Sequence, residues 1–497
     1  MHRLLDVLPG RIVYATNRRN GVDFDVLIHS VVTGEEQVIY DGGGMVMDVA
    51  VSPDSRYVAI VLPAEKALSD RIVLVNTMPT TPDERLSDLT DPAEHARYVQ
   101  LHWLPDSSGL IVSTNSEREH TGIARIDPHT GERAWLLTSE EHDLTAQLSP
   151  DGTTLLVTTN DDGAMRLGLH HASTGEPLRE LPLPNDGWCS APPLWSPDSR
   201  FVALSFNSPT IPGDALLAEA RSGEVRALTA SAAPLQNAEL AEPTTHRVPT
   251  PDGEQIPCFV YQPSEPDPAV AGSAVLIIHG GPEGQSVLSF SPIVQALVAQ
   301  GHTVLVPNVR GSVGYGKRWY SADDVRKRLD SVNDLAALHD WLPTIGVDPQ
   351  RAALWGGSYG GYMVLAGLAF QPERWAAGVD IVGISSLVTF LENTAPYRRA
   401  HREREYGSLR DDASFLQAAS PLTRVGAISA PLFVIHGAND PRVPLSEAEQ
   451  LAGSVRAKGL ECELLVYSDE GHGLAKRVNR LDAYPRAAAF LARHLSR

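Results

Sequence analysis

A β-propeller of about five blades followed by a doubly wound, mostly parallel α/β sheet is the architecture this sequence predicts, and three observations predict it. The first half repeats a turn-and-strand phrase at blade-length intervals, and the second half alternates apolar strands with helical stretches. One serine, in Leu354-Trp355-Gly356-Gly357-Ser358-Tyr359-Gly360-Gly361-Tyr362, sits between glycines just after an apolar run, the layout of a nucleophile elbow.

At 497 residues the chain exceeds one ordinary core, and its patterning changes near residue 240. The expected division is a propeller cap over residues 1–240 and a catalytic domain over 241–497. A formal charge of −20 argues against nucleic acid or an anionic membrane as partner, and no Lys/Arg cluster is picked out to reverse that reading. Cys189, Cys258 and Cys462 lack metal-ligand spacing and read as reduced thiols. The N-terminus has no signal-peptide h-region and no run approaches the ~18 apolar residues of a membrane span, so a cytoplasmic protein is expected. No metal or cofactor is expected, and a homo-oligomer is left open.

Four phrases mark the blades: Val51-Ser-Pro-Asp-Ser-Arg-Tyr-Val-Ala-Ile, Leu104-Pro-Asp-Ser-Ser-Gly-Leu-Ile-Val, Leu148-Ser-Pro-Asp-Gly-Thr-Thr-Leu-Leu-Val and Trp195-Ser-Pro-Asp-Ser-Arg-Phe-Val-Ala-Leu. They recur roughly every 45 to 52 residues, the length of a four-stranded blade. In each, Pro-Asp makes a turn and the apolar residues after it form the next strand. Hairpin turns at Thr33-Gly34-Glu35, Thr130-Gly131-Glu132, Thr174-Gly175-Glu176 and Ser222-Gly223-Glu224 follow a further strand. The Thr33 turn precedes the first Pro-Asp phrase, so an earlier blade is expected from about Arg11. These repeats read as scaffolding, and the acidic pairs Glu35-Glu36 and Glu140-Glu141 as solvated surface.

In the second half, a hairpin turning at Asp252-Gly253 leads into alternating strands and helices. Strands are expected at 274–278, 304–307, 353–355, 378–382, 432–435 and 463–467, with helices from Ile293, across 334–342, from Gly361, over 447–455 and ending near Leu495. Apolar strands separated by helices imply a parallel sheet covered on both faces.

A serine nucleophile needs a base, and the base needs a carboxylate to fix its tautomer and stabilise its charged form. Asp440 follows the 432–436 strand and His472 follows the 463–467 strand, so the chain order Ser358, Asp440, His472 is that of an α/β-hydrolase. Each lies at a strand's carboxyl end, where ligands gather in open α/β sheets. Of the other histidines, His436 reads as packed core and His339 as an exposed or half-buried helix residue. Backbone donors for a developing oxyanion are expected from Tyr359, next to the nucleophile, and from Gly281 in the turn Ile278-His-Gly-Gly-Pro, since the following proline cannot donate.

These residues resemble the prolyl oligopeptidase family of serine peptidases, in particular its acylaminoacyl-peptidase-like and dipeptidyl-peptidase-like branches. The matching phrases are His279-Gly-Gly-Pro, Asn308-Val-Arg-Gly-Ser-Val-Gly-Tyr-Gly, Gly356-Gly-Ser-Tyr-Gly-Gly-Tyr, Asp440-Pro-Arg-Val-Pro and Asp469-Glu-Gly-His-Gly, in family order. The resemblance implies a triad of Ser358, Asp440 and His472 and an oxyanion hole of Gly281 and Tyr359. It also implies that Arg442 grips a substrate carbonyl and that Phe390 offers an apolar wall beside the cleaved bond. The cap departs from the family, whose members usually carry seven or eight blades. The expected activity is hydrolysis of short peptides or acyl- and aminoacyl-peptides. An esterase, deacylase, acyltransferase or cyclase acting on a specialised small acyl substrate with the same triad is the alternative.

Overall fold

The computed structural model describes residues 1–265 and 267–497. Five antiparallel sheets fill the first half, each built from strands consecutive in sequence. They span His2–Tyr40, Asp48–Asp88, Tyr98–Leu137, Asp143–Leu181 and Trp188–Ala227. The blade count is therefore five, but the first blade opens at His2 rather than near Arg11. Its inner strand, His2–Leu8, pairs with Arg11–Thr16 across a register shift between Leu4 and Asp6, and its residues are mostly exposed. Neither property leaves a clean alternation to read.

The Pro-Asp phrases close the turn between the first and second strands of their blades. Ser52, Ser149 and Ser196 each donate a hydroxyl to the turn aspartate (Asp54, Asp151, Asp198) at 2.6 Å. The same serine oxygens accept the N–H that begins the next strand, of Tyr57, Thr154 and Phe201. The turn is thus satisfied locally, which explains why one phrase serves several blades.

Apolar cores lie between consecutive blades. Val13, Val26, Val58 and Ile60 join the first to the second, Ile72, Trp103 and Val112 the second to the third, Ile111, Leu144 and Leu155 the third to the fourth, and Leu167, Val202 and Phe206 the fourth to the fifth. Among the described residues no buried apolar cluster joins the fifth to the first. On those blades Leu194 is 68% and Leu4 59% exposed, so this seam is left unpacked. The inner strands surround a central cavity of about 610 Å³ touched by Leu5, Asp48, Gln100, Gln147 and Pro192, one residue from each blade.

The second half holds one eight-stranded sheet. Its strands are β1 (Thr244–Pro249), β2 (Gln255–Tyr261), β3 (Ala274–Ile278), β4 (Thr303–Pro307), β5 (Ala352–Gly357), β6 (Ala377–Ile381), β7 (Leu432–Gly437) and β8 (Cys462–Tyr467). Their spatial order is β1-β2-β4-β3-β5-β6-β7-β8, with the β1–β2 and β2–β4 pairs antiparallel and the remaining pairs parallel. Helices at Arg328–Trp341, Tyr359–Phe370 and Leu445–Ala457 cover one face, and Pro292–Ala299 and Arg477–Leu495 the other. This burial on both faces accounts for strands such as β7 reading as continuous apolar runs.

Every blade meets the second half of the chain at the end where its second and third strands join. Phe24 of the first packs edge-on against Tyr397, with ring centroids 5.9 Å apart. Lys66 and Ser69 of the second accept from Arg404. Asn115 of the third donates to the Tyr320 hydroxyl at 2.9 Å, Asn160 of the fourth to Gln285 at 2.8 Å, and Asn207 of the fifth accepts the Phe290 N–H at 3.0 Å. The repeated Pro-Asp and Thr-Gly-Glu turns sit at the opposite ends of the strands.

Candidate active site

Ser358 lies between β5 and the Tyr359–Phe370 helix with φ 58° and ψ −117°, a conformation that a non-glycine residue adopts only under tertiary constraint. Two glycines supply that constraint. A Cβ on Gly356 would run into the backbone of Gly360, and a Cβ on Gly360 into the carbonyl oxygen of Ile278 at the end of β3. The elbow is thereby pressed against the His279-Gly280-Gly281 turn, and the Ser358 N–H is spent on the Ile381 carbonyl at 2.8 Å.

His472 is brought to Ser358 by two loops tied to each other. The Asn439 N–H donates to the Glu470 carbonyl at 3.0 Å, and its side chain donates to the Ser468 carbonyl at 2.7 Å. The buried Glu470 carboxylate accepts from Ala475 N–H, Lys476 N–H and the Asn479 amide, fixing the far side of the histidine loop. The result is a continuous hydrogen-bonded series: His472 Nε2 lies 2.9 Å from Ser358 Oγ, and His472 Nδ1 lies 2.6 Å from Asp440 Oδ2. The other Asp440 oxygen accepts the N–H groups of Arg442 and Val443 at 2.7 and 3.0 Å. Burial alone would raise the Asp440 pKa, but the imidazole and the two backbone donors outweigh it and hold the carboxyl below its ordinary value.

Tyr359 opens the helix, where its N–H has no acceptor one turn back. Its side chain points away from the cavity and is wholly buried, donating to Asp323 at 3.0 Å and sharing a 2.8 Å bond with Ser331. Opposite, His279 Nε2 meets Ser312 Oγ at 2.8 Å, which braces the glycine turn against the chain after β4. A cavity of about 340 Å³ opens here, and Gly281, Ser358, Phe390, Arg442 and His472 all line it. The site residues expected from the sequence are therefore gathered in one place. Phe390 is 4% exposed and packs edge-on against Tyr406, so it forms a fixed wall.

Of the other histidines, His436 is fully buried in β7, as read, and donates to the Val443 carbonyl at 3.0 Å. His339 is more buried than expected, because its ring is held between Trp375 and the Pro349 carbonyl.

The sequence reading missed the arginines. Arg398 and Arg402 share this cavity wall, projecting from the helix Pro396–Tyr406, whose sequence Pro-Tyr-Arg-Arg-Ala-His-Arg-Glu-Arg-Glu-Tyr contains four arginines. This local concentration of arginine was not picked out in the sequence. Alternation with glutamates hides the cluster in composition, whereas the i, i+4 spacing of Arg398 and Arg402 places both on one face. Arg402 pairs with Glu283, just after the glycine turn, at 3.3 Å.

Three carboxylates, Asp323, Asp324 and Glu405, converge beneath Tyr359 with spacing that a metal ion could bridge. The fully buried Arg328 guanidinium already bonds both Asp323 and Glu405, so the cluster holds its own cation. Among the described residues Cys189, Cys258 and Cys462 are buried and unpaired.

A family profile described as the prolyl oligopeptidase family matches residues 288–497, which include the elbow, the Asp440 loop and the His472 loop. The likeness to the prolyl oligopeptidase family rests on this part of the chain. Within it and its flanks, the chain is 38% identical over 227 residues to dipeptidyl aminopeptidase BIII of Pseudoxanthomonas mexicana, covering 44% of this chain and 33% of that protein. It is 26% identical over 257 residues to acylamino-acid-releasing enzyme 1 of Oryza sativa subsp. japonica, covering 50% and 33%. The chain thus spans about a third of the length of the curated relatives it matches. The puromycin hydrolase crystal structure superposes with a TM-score of 0.88 at 22% identity, covering 99% of this chain and 78% of that one. That likeness extends the fold across the propeller, beyond the segment that the family profile matches, and leaves about a fifth of the larger chain without a counterpart.

Proposed function

We propose that the protein is a serine peptidase that hydrolyses short peptides or acyl- and aminoacyl-peptides through an acyl-enzyme on Ser358. The observation that carries this is the unbroken Asp440–His472–Ser358 hydrogen-bond series at the floor of a cavity within a domain that resembles the prolyl oligopeptidase family.

The geometry supports each step. Ser358 Oγ attacks the substrate carbonyl while His472 Nε2 takes its proton, and Asp440 accepts the Nδ1–H and stabilises the imidazolium. The N–H groups of Tyr359 and Gly281 receive the oxyanion. His472 then protonates the leaving amine, and water, deprotonated by the same nitrogen, releases the acyl group. Phe390 and the buried residues around it favour an apolar side chain on the acyl residue, and Arg442 holds a substrate carbonyl. The three buried free thiols suit a reducing compartment, so we place the protein in the cytoplasm.

Turnover of an aminoacyl-nitroanilide and short-peptide panel, run beside p-nitrophenyl esters with products identified by mass spectrometry, tests this reading. Peptide-bond hydrolysis that disappears in Ser358→Ala supports it; cleavage of esters alone, or undiminished peptide turnover in the variant, overturns it.

A further inference from the structure

The cavity beside Ser358 carries more positive charge than its own carboxylates balance. Three guanidiniums line it, from Arg398, Arg402 and Arg442, against one carboxylate, Glu283. Glu283 is engaged by Arg402. Among the described residues neither Arg398 nor Arg442 has a carboxylate within ion-pair distance, although this chain has 61 acidic and 41 basic residues and most buried arginines in it are paired. Arg398 is half-buried on the wall of the cavity, next to two other cations. Burial, then the charges of Arg402 and Arg442, pull its pKa below the ordinary arginine value, the mark of a cation placed where its surroundings disfavour it. Folding leaves such a group unpaired at a cost, and an anion entering the cavity would recover that cost.

We propose that Arg398 and Arg442 form a subsite for a substrate carboxylate beside the scissile bond, so that anionic peptides are the preferred substrates. This rests on the peptidase reading above and deepens it. The planar fork of each guanidinium suits a two-oxygen carboxylate, and two forks facing one cavity from different elements, the Pro396–Tyr406 helix and the loop after β7, fix where that carboxylate sits. Arg442 can hold the neighbouring carbonyl and still lend its charge, while Arg398 has no carboxylate partner among the described residues. The carboxylate can come from an acidic side chain next to the acyl residue, from a dicarboxylic blocking group at the amino end, or from the free carboxyl end of the leaving peptide.

Matched pairs separate these sources. Asp-Phe- against Asn-Phe-nitroanilide reads the side chain, succinyl-Phe- against acetyl-Phe-nitroanilide reads the blocking group, and Ala-Phe-Gly against its C-terminal amide, followed by mass spectrometry, reads the leaving end. We expect at least one anionic member to exceed its neutral partner tenfold or more in kcat/KM, the ratio to collapse in Arg398→Gln and to persist in part in Arg398→Lys, and 0.5 M NaCl to lower it. Circular dichroism and the thermal midpoint establish that both variants are folded. Ratios near one for all three pairs, or an anionic preference undiminished in Arg398→Gln, overturn the subsite. Calorimetric binding of succinyl-Phe-amide and acetyl-Phe-amide to the Ser358→Ala protein keeps the two readings apart. Preference for the anion there without peptide turnover by wild type upholds the subsite and removes the peptidase, whereas turnover of neutral peptides without anionic preference does the reverse.

Discussion

At the residue scale the account rests on three side chains acting as one unit. Ser358→Ala and His472→Ala should each lower kcat by roughly 10⁴ to 10⁶, and the double variant should fall little further, because neither residue accelerates the reaction without the other. Stopped assays on purified variants check this, and additive losses would contradict it. Asp440→Asn should cost on the order of 10⁴ in kcat with little change in KM, since an amide favours the wrong imidazole tautomer. Asp440 also links stability to pH. Its folded pKa is depressed, so its stabilising contribution is present above the unfolded carboxylate value of about 4 and is lost as pH falls through the lower folded value. A wild-type thermal midpoint that drops at acid pH more steeply than that of Asp440→Asn is the expected outcome. These residues were legible in the sequence because each sits in a short glycine- or proline-bounded loop at a strand end. Arg398 was not, because its meaning depends on which wall of a cavity a charged helix faces.

At the element scale two parts deserve tests of their own. Gly360 allows the elbow to approach β3, and Gly360→Ala should destabilise the protein by about 1–3 kcal/mol while distorting Ser358; chemical denaturation with a parallel activity assay would show both. The Pro396–Tyr406 helix is anchored by Glu405, which shares the buried Arg328 with Asp323. Burial, then the Glu283 charge, pushes Glu405 up to about 8 against the attraction of Arg328, and burial with Glu405 pushes Asp324 up to about 7. These groups keep protons in the folded state that the unfolded chain releases near pH 4. Their contribution to stability is full below that value and is lost as pH rises through about 7 to 8. The thermal midpoint should therefore fall between pH 5.5 and 8.5, and less so in Glu405→Gln; equal slopes would contradict the assignment. The order of strands and helices in this half followed from apolar periodicity, with ends displaced by a residue or a few. The ion network did not, since it joins residues 323 to 405 that only the fold brings together.

At the scale of the whole molecule, the blade number was legible because Ser-Pro-Asp turns recur for a local reason, their own side-chain hydrogen bonds. The interface with the catalytic half was not, because it uses the loops at the other end of the strands, which share no phrase. Arg404 is the clearest clip there, donating from Nε to the Lys66 carbonyl at 3.1 Å and from its terminal nitrogen to the Ser69 carbonyl at 2.7 Å. Arg404→Ala should weaken the attachment of the second blade by about 1 kcal/mol, seen as several-fold faster protease cleavage of the loops between blade and helix. An unchanged digestion rate would show that the other four blade loops suffice. All of this geometry serves one claim, that Ser358 carries the acyl group during turnover. Rapid-quench mass spectrometry of the intact protein with an aminoacyl p-nitrophenyl ester tests it most directly. The account predicts a transient acyl mass that maps to Ser358 and is absent in Ser358→Ala; steady turnover with no acyl mass on Ser358, undiminished in that variant, would contradict it.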